Sequence, residues 1–102
     1  MTRPEIVQRI REVLRRVAPE AQAILYGSEA RGDALPDSDI DLLILVDKER
    51  ISLKEEEKIT DPLYDIEIET GVMISPRVFS KKLWGKLVTP FYENVMREGV
   101  LL

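Results

Sequence analysis

Two short apolar runs, Ala23-Ile24-Leu25-Tyr26 and Ile40-Asp41-Leu42-Leu43-Ile44-Leu45-Val46, bracket a turn-rich segment made mostly of glycine, serine, proline and charged residues. This arrangement constrains the fold more than any other feature of the chain. Each run is too short for a helix and ends on turn-forming residues, so both read as strands that pair through the connection. The second run, opening at Ser38, is apolar at every position from Leu42 to Val46, as expected of a strand covered on both faces. A single helical turn starting at Ser28 fits inside the connection.

The flanking sequence supplies helices and a third strand. Thr2 caps a helix with Pro4 in its first turn, Ile6, Ile10, Val13, Leu14 and Val17 form its apolar stripe, and Pro19 ends it. Ser52 with Glu55 matches a capping box. The spacing of Ile59, Leu63 and Ile66 predicts a helix kinked at Pro62 and closed by Gly71, although Asp65-Ile66-Glu67-Ile68-Glu69 alternates like a strand. Val72–Phe79 reads as a strand, and Pro76 confines it to a sheet edge or a bulge. Thr89-Pro90 opens a last helix that Gly99 ends. The apolar tail Val100-Leu101-Leu102 either folds back or enters an interface, which leaves an oligomer open.

The 102 residues predict one domain spanning residues 1–102. With no cysteine and no histidine, disulfides, ordinary zinc sites and histidine acid–base catalysis are excluded. Any metal must be held by oxygen, which points to a hard cation such as Mg2+ or Mn2+. A net charge of −4 argues against direct nucleic-acid binding. No apolar run is long enough to span a membrane, and Met1–Glu5 does not resemble a signal peptide, so the cytoplasm is the expected location.

The chemistry concentrates between the two strands. Asp39 and Asp41 are two residues apart, so on a strand their carboxylates point the same way. A divalent cation relieves the repulsion between them. Gly27 lets the backbone approach a phosphate, the Ser28 hydroxyl and nearby N–H groups are suited to donate to its oxygens, and Arg31 adds a planar cationic fork. Gly32 turns the chain back and Ser38 braces the turn before Asp39. Together these residues suit a nucleoside triphosphate and its magnesium, with Asp39 and Asp41 as the catalytic, metal-binding pair and Gly27, Ser28, Arg31 and Ser38 on the nucleotide.

The pattern Gly27-Ser28-x-Ala30-Arg31-Gly32 followed by Ser38-Asp39-Ile40-Asp41-Leu42 resembles the signature of the nucleotidyltransferase superfamily that includes DNA polymerase beta. The length and the ending Phe91-Tyr92-Glu93-Asn94-Val95-Met96-Arg97-Glu98-Gly99-Val100 resemble its minimal branch, the MNT proteins. The resemblance implies an α/β (α+β) fold, a small mixed sheet with helices packed on one side. It implies that Asp39 and Asp41 bind Mg2+ and that Gly27 and Ser28 hold the triphosphate of ATP. It also implies an antitoxin that works beside a HEPN-domain toxin, with AMP transfer to a tyrosine of the toxin as the reaction. The family's third carboxylate, on the next strand, is replaced here by Ser75, which cannot act as a carboxylate base. Two functions follow: an adenylyltransferase acting on a partner protein, or a degenerate binding module that neutralises the toxin by complex formation. A small nucleotide sensor is a remote third.

Four further features carry less weight. Trp84, set among lysines, is expected to cover the edge of the core rather than to stack on a base. Tyr64 and Tyr92 are expected at packing positions. Arg9, Arg11, Arg15 and Arg16 are expected on a solvated helix face.

Overall fold

The computed structural model describes all residues from Met1 to Leu102. Helix α1 covers Arg3–Val17, and the Thr2 hydroxyl caps it by accepting the Glu5 N–H at 3.3 Å. Strand β1 (Gln22–Tyr26) leads into a one-turn helix α2 (Gly27–Arg31), and β2 (Ile40–Val46) follows. Helix α3 spans Leu53–Thr70 and runs through Pro62. Ser52 caps its start, accepting the Glu55 N–H at 3.1 Å, and Gly71 closes it with φ +74°. The strand signal in Asp65–Glu69 loses because Ile59, Leu63 and Ile66 form one buried stripe on this helix. Strand β3 (Ile74–Ser80), helix α4 (Pro90–Glu98) and a two-residue strand β4 (Val100–Leu101) complete the chain.

The sheet is mixed, in the order β3-β2-β1-β4. Strands β1 and β2 are antiparallel, as are β1 and β4, whereas β2 and β3 are parallel and joined by the α3 crossover. Strand β3 lies at an edge, where Pro76 is tolerated. The tail read from sequence only as apolar folds back. Val100 and Leu101 pair with Leu25 and Ile24, and the Leu102 N–H donates to the Ala23 carbonyl at 2.9 Å.

Alternation along β2 divides the interior. Ile40, Leu42 and Ile44 pack with Ile6, Ile10 and Leu14 of α1 and with Ile59, Leu63 and Ile66 of α3. Leu63 is fully buried there, and its truncation to alanine is worth about 2–5 kcal/mol. Leu43 and Leu45 face the other way, onto Val95 of α4 and the rings of Tyr26, Trp84 and Phe91. The expected layering of helices on one side therefore holds for the long helices α1 and α3. Helix α4 departs from it, because the opposite face of β2 is also apolar and needs a cover. Trp84 covers this second core, 5.0 Å between ring centroids from Tyr92 and 5.9 Å from Phe91.

Candidate active site

The second face of the sheet carries the acids. Asp41 opens β2 and lies in register with Tyr26 of β1 and Ser75 of β3. Asp39 precedes the strand, and the following residue, Ile40, is tied to the start of β3 by its N–H donating to the Met73 carbonyl at 2.9 Å. The Ser75 hydroxyl donates to Asp39 Oδ2 at 3.4 Å. Because Ser75 is also the strand neighbour of Asp41, both acids converge on one end of the sheet. The site carries its own strain: burial first, then the neighbouring Asp39 charge, holds the Asp41 carboxyl above its usual range, opposed by Arg77 and Arg31 and reinforced by Glu98.

Gly27 sits against this pair. Its φ is +75°, and a Cβ placed on it would stand 2.4 Å from Asp41 Oδ2. The glycine is required twice, by the left-handed backbone and by the close approach of the carboxylate. Helix α2 starts here, with Tyr26 at the cap position supplying no side-chain bond, so Ser28 is a residue of the turn and not its cap. The Ser28 hydroxyl makes no hydrogen bond to the protein. Ser38 serves the loop, its hydroxyl accepting the Leu35 N–H at 2.8 Å. Arg3 of α1 holds the same loop through the Ser38 carbonyl at 2.7 Å and pairs with Glu29 at 2.6 Å. Neither role of Arg3 was evident in the sequence.

Arg31 points along the surface of α2. Its Nε donates to Asp33 at 3.2 Å, and its Nη1 contacts both carboxylate oxygens of Glu98 at 3.2–3.3 Å. Glu98, the last residue of α4, also accepts the Gly27 N–H at 3.2 Å and is only 18% exposed. Arg77 stands two residues beyond Ser75, on the same face of β3, with its guanidinium 4.8 Å from the centre of the Phe91 ring. The period-2 rule places Arg77 on the Ser75 face, so it was legible in principle. Glu98 was not, since 71 residues separate it from Gly27.

Glu67 and Glu69 are engaged elsewhere. Glu67 Oε1 accepts the Ile74 N–H at 2.8 Å, and Glu69 pairs with Arg9. That surface pair is consistent with the solvated face expected of α1. No group of three acids is arranged around a common ion position. Two carboxylates from one strand start, neither paired to a lysine or arginine, nevertheless suit a hard cation whose remaining ligands are water and phosphate oxygens.

A short helix between antiparallel strands, with two acids and a glycine bend at one sheet end, defines a nucleotidyltransferase-type domain. The sequence agrees: residues 7–101 match the nucleotidyltransferase domain family, and the chain belongs to it. No curated protein matches the chain. Among solved structures, a minimal nucleotidyltransferase superposes with TM-score 0.65 at 28% identity, covering 100% of this chain and 97% of that one. A toxin–antitoxin MntA–HpeT complex matches with TM-score 0.64 at 20% identity over 94% of this chain and 70% of that one. A toxin–antitoxin structure with AMP-PNP matches with TM-score 0.61 at 19% identity over 92% and 69%. The last two likenesses concern the fold alone. No helix is long and apolar enough to cross a membrane.

Proposed function

We propose that this chain is an ATP- and magnesium-dependent nucleotidyltransferase that transfers an adenylyl group to a protein partner, a HEPN-domain toxin, and so acts as an antitoxin. One observation carries the reading. The bend at Gly27 and the carboxylate of Asp41 lie so close that a single methyl group would not fit between them, which supports a shared ligand. Asp39 and Asp41 are the residues that would hold Mg2+, and Gly27 and Ser28 those that would receive the phosphates. A bound ion would supply charge neutralisation for the triphosphate. In the transfer, an acceptor oxygen forms a bond to the α-phosphorus as the bond to the departing pyrophosphate breaks, and the acceptor proton leaves to solvent or a neighbouring carboxylate. This chain's task is alignment and electrostatics. The likeness to toxin–antitoxin structures, one of them with AMP-PNP, supports a toxin partner and ATP as substrate.

A second reading is favoured by one residue. Ser75 is the strand neighbour of Asp41 where the resemblance calls for a third acid. A domain lacking that base is suited to neutralise a toxin by binding it. The two readings separate in one experiment, with radiolabelled ATP, magnesium and a purified HEPN toxin encoded beside this chain. Label on the toxin that disappears in Asp39→Asn supports the enzyme. Full neutralisation by the Asp39→Asn/Asp41→Asn double variant, without label transfer, supports the module.

A further inference from the structure

We infer that Arg77, and not Arg31, is the principal arginine that receives the triphosphate, an assignment that rests on the nucleotide-binding reading above. The two guanidinium groups differ in what they already hold. Arg31 is engaged, held by Asp33 on one side and by both oxygens of Glu98 on the other. A phosphate arriving at Arg31 has to compete with two carboxylates that are part of the fold. The Arg77 side chain makes no hydrogen bond and no ion pair with the protein. Its guanidinium lies over the Phe91 ring, 4.8 Å from the centroid, and its N–H donors have no partner in the protein.

Position supports the assignment. Along β3, Ser75 and Arg77 share the face that Asp41 and Leu43 share on β2, in register. Phe91, under Arg77, meets Tyr26 edge-on at 5.3 Å between centroids, and Tyr26 is the other strand neighbour of Asp41. Arg77 thus stands over the acid-bearing end of the sheet, and its charge is felt by both Asp41 and Tyr26. Chemistry supports it as well. With Ser75 in place of a third acid, a planar cation on the Asp41 side of the sheet is suited to neutralise phosphate charge. An exposed arginine with no acidic partner, on the same sheet face as Asp41, is suited to a polyanion.

The test is titration calorimetry with inorganic tripolyphosphate in EDTA and with ATP in magnesium, adenosine serving as the control ligand. Arg77→Ala is expected to weaken tripolyphosphate and ATP about tenfold and to leave adenosine unaffected. Arg31→Ala is expected to cost less than Arg77→Ala. Arg77→Lys, which keeps the charge and loses the planar fork, is expected to fall between wild type and Arg77→Ala, and it carries the test if the alanine variant fails to fold. Unaltered tripolyphosphate binding in both Arg77 variants overturns the inference, as does a larger loss in Arg31→Ala or a loss that extends equally to adenosine. If wild type binds ATP, and Asp39→Asn/Asp41→Asn abolishes that binding while the Arg77 variants are silent, the site reading stands and this assignment falls. If wild type binds neither ATP nor tripolyphosphate, both fall.

Discussion

The Glu98 carboxylate accepts the Gly27 N–H at 3.2 Å, joining the end of α4 to the first residue of α2 across 71 positions of sequence. Helix α2 has no side-chain cap of its own, and Glu98 supplies the missing acceptor from outside. The same carboxylate holds Arg31. An internal anion therefore engages two groups that the sequence assigned to phosphate. Glu98→Gln keeps an oxygen for the Gly27 N–H and removes the negative charge. Tripolyphosphate in EDTA is expected to bind about threefold to tenfold more tightly to this variant, as expected for deleting one like charge near the ligand. Calorimetry giving equal or weaker binding would mean that Glu98 braces the cradle without competing for it.

Asp41 predicts a pH-dependent cost. Its carboxyl is raised from an ordinary 3.8 by burial and then by Asp39. A raised carboxylate takes up its proton more readily in the folded state, so its stabilising contribution is complete below 3.8 and is lost as pH rises through the folded value. At neutral pH without divalent cations the ionised group is a burden. Asp41→Asn is therefore expected to melt on the order of 2 °C higher than wild type at pH 7 in EDTA, a small rise because the group is partly solvated. The gain should disappear at pH 3.5, and Mn2+ binding, read by electron paramagnetic resonance, should be lost. An equal or lower melting temperature at pH 7 refutes the account.

Gly27→Ala combines left-handed backbone strain with a side-chain collision. Gly32 has a similar φ, +81°, but open space where its Cβ would stand. Gly32→Ala should cost about 1 kcal/mol from backbone strain alone. Gly27→Ala should cost about 1–3 kcal/mol and also weaken ATP binding, because the new methyl displaces the Asp41 carboxylate. Urea denaturation of the two variants in parallel checks the difference, and equal losses would remove the special closeness of Gly27 to Asp41.

Much of this architecture was legible in local chemistry. Thr2, Ser52 and Thr89 announce helix starts, Gly71 and Gly99 announce ends, and Pro76 marks an edge strand. The convergence of Asp39 and Asp41 follows from the strand period. What stayed hidden depends on distant partners. Val100 and Leu101 are too few to signal a strand and become one only because the β1 edge is free to receive them. The pairing of Arg31 with Glu98 has no local signal, because α4 brings the carboxylate from the far end of the chain. Trp84 was legible as a cover for the edge of the core, but its clustering with Phe79 and Phe91 was not, because the three come from separate segments and meet only once folded.

Ser75 offers the sharpest division between enzyme and binding module. It lies in register with Asp41, and its hydroxyl reaches Asp39 at 3.4 Å, so an aspartate there completes a three-carboxylate set on one sheet face. Without metal, Ser75→Asp adds a third like charge and should lower the melting temperature by about 4 °C, the effect of roughly 1 kcal/mol in a domain of this size. With Mn2+ the order should reverse, the variant gaining more thermal stability than wild type and binding the ion about tenfold more tightly, since each added oxygen ligand replaces water with charge. Melting curves at several Mn2+ concentrations read both effects. If the variant gains metal affinity and label transfer to the toxin rises with it, wild type is a transferase working with a weakened site. If affinity rises and transfer remains absent, the loss of the third acid is not what limits this chain, and binding to the toxin is the function that the geometry retains.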